Sequence, residues 1–222
     1  MPGKKSNMDI PFAKHEEAAI LNSMGSVVPA LLREGLAEGF HRFKRSRDLD
    51  PDGFADYSLC SKANMLYDRI ALASRELVDV AKADIPELGW KAGRNKRATD
   101  IMLDPYFVFR IKREKQNRGG LTTSVDTWRQ LQMKSLSVPP MLQMSLDFGV
   151  PIRLPNENRI WITIPFDLDE LEESISHVSM GIELRTKFLW KVPLPEAEAD
   201  IIASLPNAVA DRISEMRSRR SA

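Results

Sequence analysis

The spacing of apolar residues changes partway along this chain, and that change restricts the fold more than any other feature. Between about residues 28 and 84 apolar side chains recur every three or four positions, whereas beyond Trp90 they recur at every second one. A period near 3.6 aligns one face of a helix and a period of two aligns one face of a strand, so the first part reads as helices and most of the rest as sheet.

In the helical part, Pro11 to Met24 carries Phe12, Ala18, Ala19 and Leu21 as a weak stripe that Gly25 can end. A stronger helix is predicted from about Val28, with Pro29 in its first turn. Its Leu32, Leu36, Phe40 and Phe43 face a core, and Arg33, Glu34, Glu38 and Arg42 lie on the other face. A third helix follows Ser61, where Leu66, Ile70, Ala73, Leu77 and Ala81 form one stripe, and Pro86 and Gly89 close it.

After Trp90, PYFVFRIKR alternates Phe107, Phe109 and Ile111 with Tyr106, Val108, Arg110 and Lys112, a strand with one apolar face and one that turns basic. QNRGGLTTS is a loop on composition, and Thr123 or Ser124 caps a short helix after it. Val150–Leu154 and Ile160–Phe166, joined by PNEN, are expected to pair as an antiparallel hairpin that buries Ile160, Ile162 and Ile164. Asp167 followed by Glu170 resembles the start of a helix through LDELEESISHVSM. Ile182, Leu184, Thr186, Phe188, Trp190 and Val192 alternate as a last strand, and two terminal helical stretches split at Pro206.

Helices followed by strands indicate an α+β fold: two or three N-terminal helices, then a mostly antiparallel sheet with interspersed helices and a C-terminal helix. Residues 1–90 would form a helical lobe and 91–222 an α+β lobe, with the boundary near GWKAGRNKRATD, unless the two are one continuous domain. At 222 residues with 43 % hydrophobic composition the chain can bury a substantial core. Cys60 stands alone, which excludes an internal disulfide and a site built on paired cysteines, and a solitary cysteine near a helix start is expected to be buried. No run approaches the roughly 18 apolar residues of a membrane span, so no membrane partner and a cytoplasmic location are expected.

Nine basic residues (Lys91, Arg94, Lys96, Arg97, Arg110, Lys112, Arg113, Lys115 and Arg118) stand against three acids between residues 91 and 118, in a chain whose formal total is only +1. Such an excess is countered by phosphates, by acids elsewhere in the fold, or by water. The candidate internal counterweight is Asp167, Asp169, Glu170, Glu172 and Glu173, five acids in seven residues. Asn117-Arg118-Gly119-Gly120-Leu121-Thr122-Thr123-Ser124, leading into a helix, has the parts of an anion cradle, although the spacing and lysine of a P-loop are absent.

The expected function is therefore a nucleic-acid or phosphate-ligand binding protein of prokaryotic or phage type. Arg110, Lys112, Arg113 and Arg118 would meet phosphates, Tyr106 would stack, and Thr122 and Thr123 would donate hydrogen bonds. One alternative is a small RNA-cleaving toxin or defence nuclease in which Asp100 and Asp104 hold Mg²⁺ beside Lys112; the other is a protein–protein interaction subunit with no nucleic acid. No cofactor motif is present. Asp48–Asp56 resembles the opening of an EF-hand loop, but Leu59 stands where a bidentate glutamate is needed, so a helix connector is expected there. His15, His41 and His177 have no metal-ligand partners at helical spacing, and no resident metal is expected.

Overall fold

The computed structural model describes residues 17–84, 89–94, 99–104, 107–114, 160–183 and 187–221, with backbone alone for 19, 23, 89–94, 99–104 and 160. Four helices come first: α1 (Glu17–Met24), α2 (Val27–Leu49), α3 (Pro51–Ala55) and α4 (Leu59–Asp84). Gly25, at φ +61°, ends α1 in the left-handed region that glycine enters without a Cβ penalty. All the stripe residues of α2 and α4, from Leu32 to Phe43 and from Leu66 to Ala81, are buried as their spacing predicts. The two helices cross antiparallel at two glycines: a Cβ on Gly35 would lie 2.6 Å from Ser74 Oγ, and one on Gly39 would overlap the backbone of Ile70.

The sheet has six strands in chain order: β1 (Gly89–Arg94), β2 (Thr99–Asp104), β3 (Phe107–Arg113), β4 (Ile160–Leu168), β5 (Ile175–Glu183) and β6 (Phe188–Pro193). Every neighbouring pair is antiparallel except β3 and β4, which run parallel with Phe109 opposite Ile162 and Ile111 opposite Ile164. One face of this sheet carries Phe107, Phe109, Ile111, Ile162, Ile164, Phe166, Val178, Met180 and Ile182, all buried in the same hydrophobic cluster as the helix stripes. Tyr67 of α4 marks the junction, its ring edge-on to Phe166 at 6.5 Å and its hydroxyl accepting the Arg113 N–H at 3.0 Å. The architecture is α+β, with helices first, a mixed sheet after them, and α5 (Ala199–Ala203) and α6 (Asn207–Ser221) at the end, separated at Pro206.

The 89–100 stretch, where the lobe boundary was expected, supplies β1 and the start of β2. Three expectations are corrected. β4 hydrogen-bonds to β3 on one edge and β5 on the other, in place of the expected hairpin with Val150–Leu154, a segment outside the described residues. LDELEESISHVSM is a strand end, a turn and a second strand rather than a helix. Asp169 builds the turn: its carboxylate accepts the Glu173 N–H and the Ser174 hydroxyl, both at 2.7 Å, while Glu172 adopts φ +55°. The alternating run from Ile182 to Val192 folds back on itself, so that Ile182 pairs with Trp190 across β5 and β6. The helix expected after Thr123 lies outside the described residues.

The supposed solvent face of α2 is enclosed as well. Glu34 is 1 % exposed and accepts from Arg217 and Arg220 of α6, each at 2.5 Å. Glu76 of α4 takes both terminal nitrogens of Arg42 at 2.7 and 2.8 Å and Arg212 of α6 at 2.8 Å. These guanidinium groups, Arg42 first, hold the Glu76 carboxyl down at about 2 against an ordinary 4.5.

Two measurements check this arrangement. Ile162 has no exposed surface, so Ile162→Ala should cost about 2–5 kcal/mol in urea unfolding as a core truncation. Because the folded-state value of Glu76 lies below its unfolded one, its contribution is complete above pH 4.5, declines as pH falls and is lost by about 2. The urea midpoint of the native chain should therefore fall more steeply across that interval than that of Glu76→Gln, and parallel curves would show that the network adds nothing.

Candidate functional site

Strand alternation divides the basic strand between two environments. Phe107, Phe109, Ile111 and Arg113 point to the helices, while Val108, Arg110 and Lys112 point to the opposite face of the sheet. Register extends that distal face across the neighbouring strands, because Arg110 pairs with Thr163, Thr163 with Gly181 and Gly181 with Lys191. Trp161, two residues before Thr163, and His177, Ser179 and Glu183 along β5 share the same face.

The distal face is polar and largely enclosed. The Arg110 guanidinium lies 4.9 Å from the centroid of the Trp161 ring, a cation–π contact; Arg110 is 4 % exposed and Trp161 37 %. Thr163, Ser179 and Glu183 are buried, and Lys112 is half-buried. His177 Nε2 and the Ser179 hydroxyl share a hydrogen bond at 3.1 Å, the pair being two residues apart on one strand face. With Ser179 enclosed, this contact orients the imidazole and does not present a nucleophile to a substrate. Lys191 donates to Glu114 at 2.6 Å, and since β3 and β6 are separated by two strands, this ion pair spans the width of β4 and β5.

The structure thus brings Arg110 and Lys112 together and sets Arg113 apart. Arg113 Nη1 lies 2.6 Å from Glu172 and its Nε 3.6 Å from Asp167. The neighbouring Glu173 is held by Lys44 and Arg47 of α2, each at 2.7 Å. Three of the five clustered acids are therefore neutralised by described cations, one of which comes from the basic strand. Tyr106, Arg118, Thr122 and Thr123 lie outside the described residues.

Sequence reasoning placed Glu183 on the outer face of the last strand but did not single out Trp161, Thr163, His177 or Ser179 as members of a ligand face. Trp161 and Thr163 were readable as the alternate positions to Ile160, Ile162 and Ile164. His177 and Ser179 were hidden by the helical reading of 167–180, which has no period-two consequence. On β2, backbone register sets Asp100 opposite Arg110.

Two smaller expectations meet different fates. Cys60 is exposed rather than buried, because it lies in the first turn of α4 on the side away from the core. Asp48–Asp56 is a connector containing α3, whose N-cap Asp50 accepts the Gly53 N–H at 3.1 Å. Among the described residues no group of three or more His, Cys, Asp or Glu side chains is placed to hold a metal ion, and no helix is long and apolar enough to cross a membrane.

Comparison with protein-family models, with curated proteins and with solved structures finds no match, which leaves the chemistry of the distal face as the ground for function. For the Asp48–Asp56 connector the expected outcome is negative. Exchanging chelator for millimolar Ca²⁺ should leave the melting temperature unchanged, since a ligand that does not bind the native state gives it no added stability. A clear upward shift would restore a calcium site there.

Proposed function

We propose that this chain binds nucleic acid or another phosphate-bearing ligand on the sheet face away from the helices. The observation that carries this reading is Trp161: a large aromatic residue left more than one-third exposed against the Arg110 guanidinium, on the sheet face that Lys112 shares further along β3. An exposed ring backed by one guanidinium, on a face that carries a further lysine, suits a ligand that combines a flat base with a charged backbone. Arg110, being enclosed, fixes the indole by stacking on it. Lys112 supplies charge directly, and Arg118, Tyr106, Thr122 and Thr123 are assigned to the same ligand by the sequence. Arg113 contributes only if a ligand phosphate replaces Glu172 as its partner.

RNA cleavage is the second reading, favoured by the register that sets Asp100 opposite Arg110, with Lys112 two residues further along the same face. A carboxylate that holds Mg²⁺ and cations that meet the developing charge on phosphorus are the parts such a reaction requires. A subunit role without nucleic acid is favoured by a different observation, the pairing of Arg113 with Glu172 and Asp167.

One titration separates the three. Retention of single-stranded RNA and DNA oligonucleotides should weaken linearly in log–log plots against salt. Lys112→Ala and Arg118→Ala should each lower the slope by about one, and Arg113→Ala should leave it unchanged. Trp161→Ala should cost about 1–3 kcal/mol, the worth of one base–aromatic stack. Shortened RNA in the presence of Mg²⁺, abolished by Asp100→Asn, would move the assignment to cleavage. No retention at low salt would remove nucleic acid altogether.

A further inference from the structure

One end of the molecule exposes apolar side chains that the fold itself does not use. Leu49, the last residue of α2, is 77 % exposed; Leu59, the first of α4, is 86 % exposed; Leu171, in the β4–β5 turn, is 80 % exposed; and Tyr57 lies between the first two. Ion pairs bring them to the same end. Lys44 and Arg47 grip Glu173, and Arg47 also donates to the Glu172 carbonyl at 3.5 Å, which ties the β4–β5 turn to the last turns of α2. The antiparallel crossing returns the start of α4 to this end, where Lys62 donates to the Ala55 carbonyl at 3.2 Å.

The rim of this apolar end is acidic. Asp52, Asp56 and Glu170 are exposed and form no ion pair among the described residues, whereas Glu172 and Glu173 are already neutralised. Exposed leucines grouped at one site mark a contact surface more often than scattered ones do, and unpaired carboxylates around them select a cationic partner. We propose that this end docks a basic amphipathic helix of a partner protein, with the helix's apolar stripe on Leu49, Leu59 and Leu171 and its lysines or arginines on Asp52, Asp56 and Glu170.

Other occupants fit less well on charge. A second copy meeting this end about a two-fold axis would set the same carboxylates against one another. Nucleic acid and anionic lipid surfaces would be repelled by them. Trp161 lies near the start of β4 and Leu171 just beyond its end, so the two surfaces can be altered independently.

The test is fluorescence anisotropy of a labelled lysine–leucine peptide about five helical turns long, titrated with the full chain. A peptide of the same composition scrambled to remove the stripe, and a glutamate–leucine version, serve as comparisons. The striped lysine peptide should bind, and Leu49→Ser with Leu171→Ser should weaken it about tenfold or more. Asp52→Asn, Asp56→Asn and Glu170→Gln together should remove most of the salt dependence. Leu59→Ser alone, at the most exposed of the three leucines, should weaken binding in the same direction and guards against misfolding of the double variant. Equal binding of the scrambled peptide, indifference to all the leucine changes, or no binding of the striped peptide would overturn the proposal. So would a dimer of the free chain that Leu171→Ser dissociates, because the occupant would then be a second copy.

Discussion

The parallel pairing of β3 with β4 is the constraint on which the other elements depend. No tight turn can join parallel strands, so Phe107–Arg113 and Ile160–Phe166 are held in register by what covers their faces. On the helix side Phe109, Ile111, Ile162 and Ile164 have no exposed surface, and on the distal side Arg110 and Thr163 are also enclosed. Burial on both faces is the usual condition of parallel strands. β2 and β5 occupy the two outer edges of the pair, and β1 and β6 complete the sheet from there. Pro193 and Lys191 on β6 make that outermost edge a poor template for further pairing.

The helical half was legible because its signal is redundant: five stripe residues from Leu66 to Ala81 agree on one face, and Gly25 and Pro206 punctuate where the structure stops or divides helices. The sheet was legible in period but less so in connectivity. From Ile182 to Val192 alternation persisted through a fold-back, since a hairpin preserves the in–out phase while reversing direction. Asp167 to Val178 misled for a different reason. Asp followed three positions later by Glu is a helix-start pattern, but Asp169 uses its carboxylate to close a turn with Glu173 and Ser174 instead.

α2 shows a limit that no local pattern can lift. Arg33, Glu34 and Glu38 occupy the face opposite the apolar stripe, and in an isolated helix that face belongs to water. α6, more than 170 residues later, places Arg217 and Arg220 three positions apart so that both reach Glu34, and the charged face becomes an interior seam. Enclosing it has a cost: Arg33 Nε and Nη1, Glu38 Oε2, Ser74 Oγ and Arg217 Nε are buried without hydrogen-bond partners among the described residues. Close packing of α2 on α4 at Gly35 and Gly39 offsets part of that cost through dispersion contacts that a larger residue at either position would prevent.

The candidate site was legible as a charge excess and not as a surface. Counting basic residues between 91 and 118 treats Arg110, Lys112 and Arg113 alike, whereas a strand sends the first two to one face and the third to the other. The partners then differ in kind. Arg110 meets an indole, whereas Arg113 meets Glu172 and Asp167. That separation leaves Arg113, with Lys44 and Arg47, to anchor the β4–β5 turn from below. At the tip of the turn Glu172 and Glu173 lie within reach of the helices and the basic strand, and Glu170, two residues from the nearest of them, forms no ion pair among the described residues.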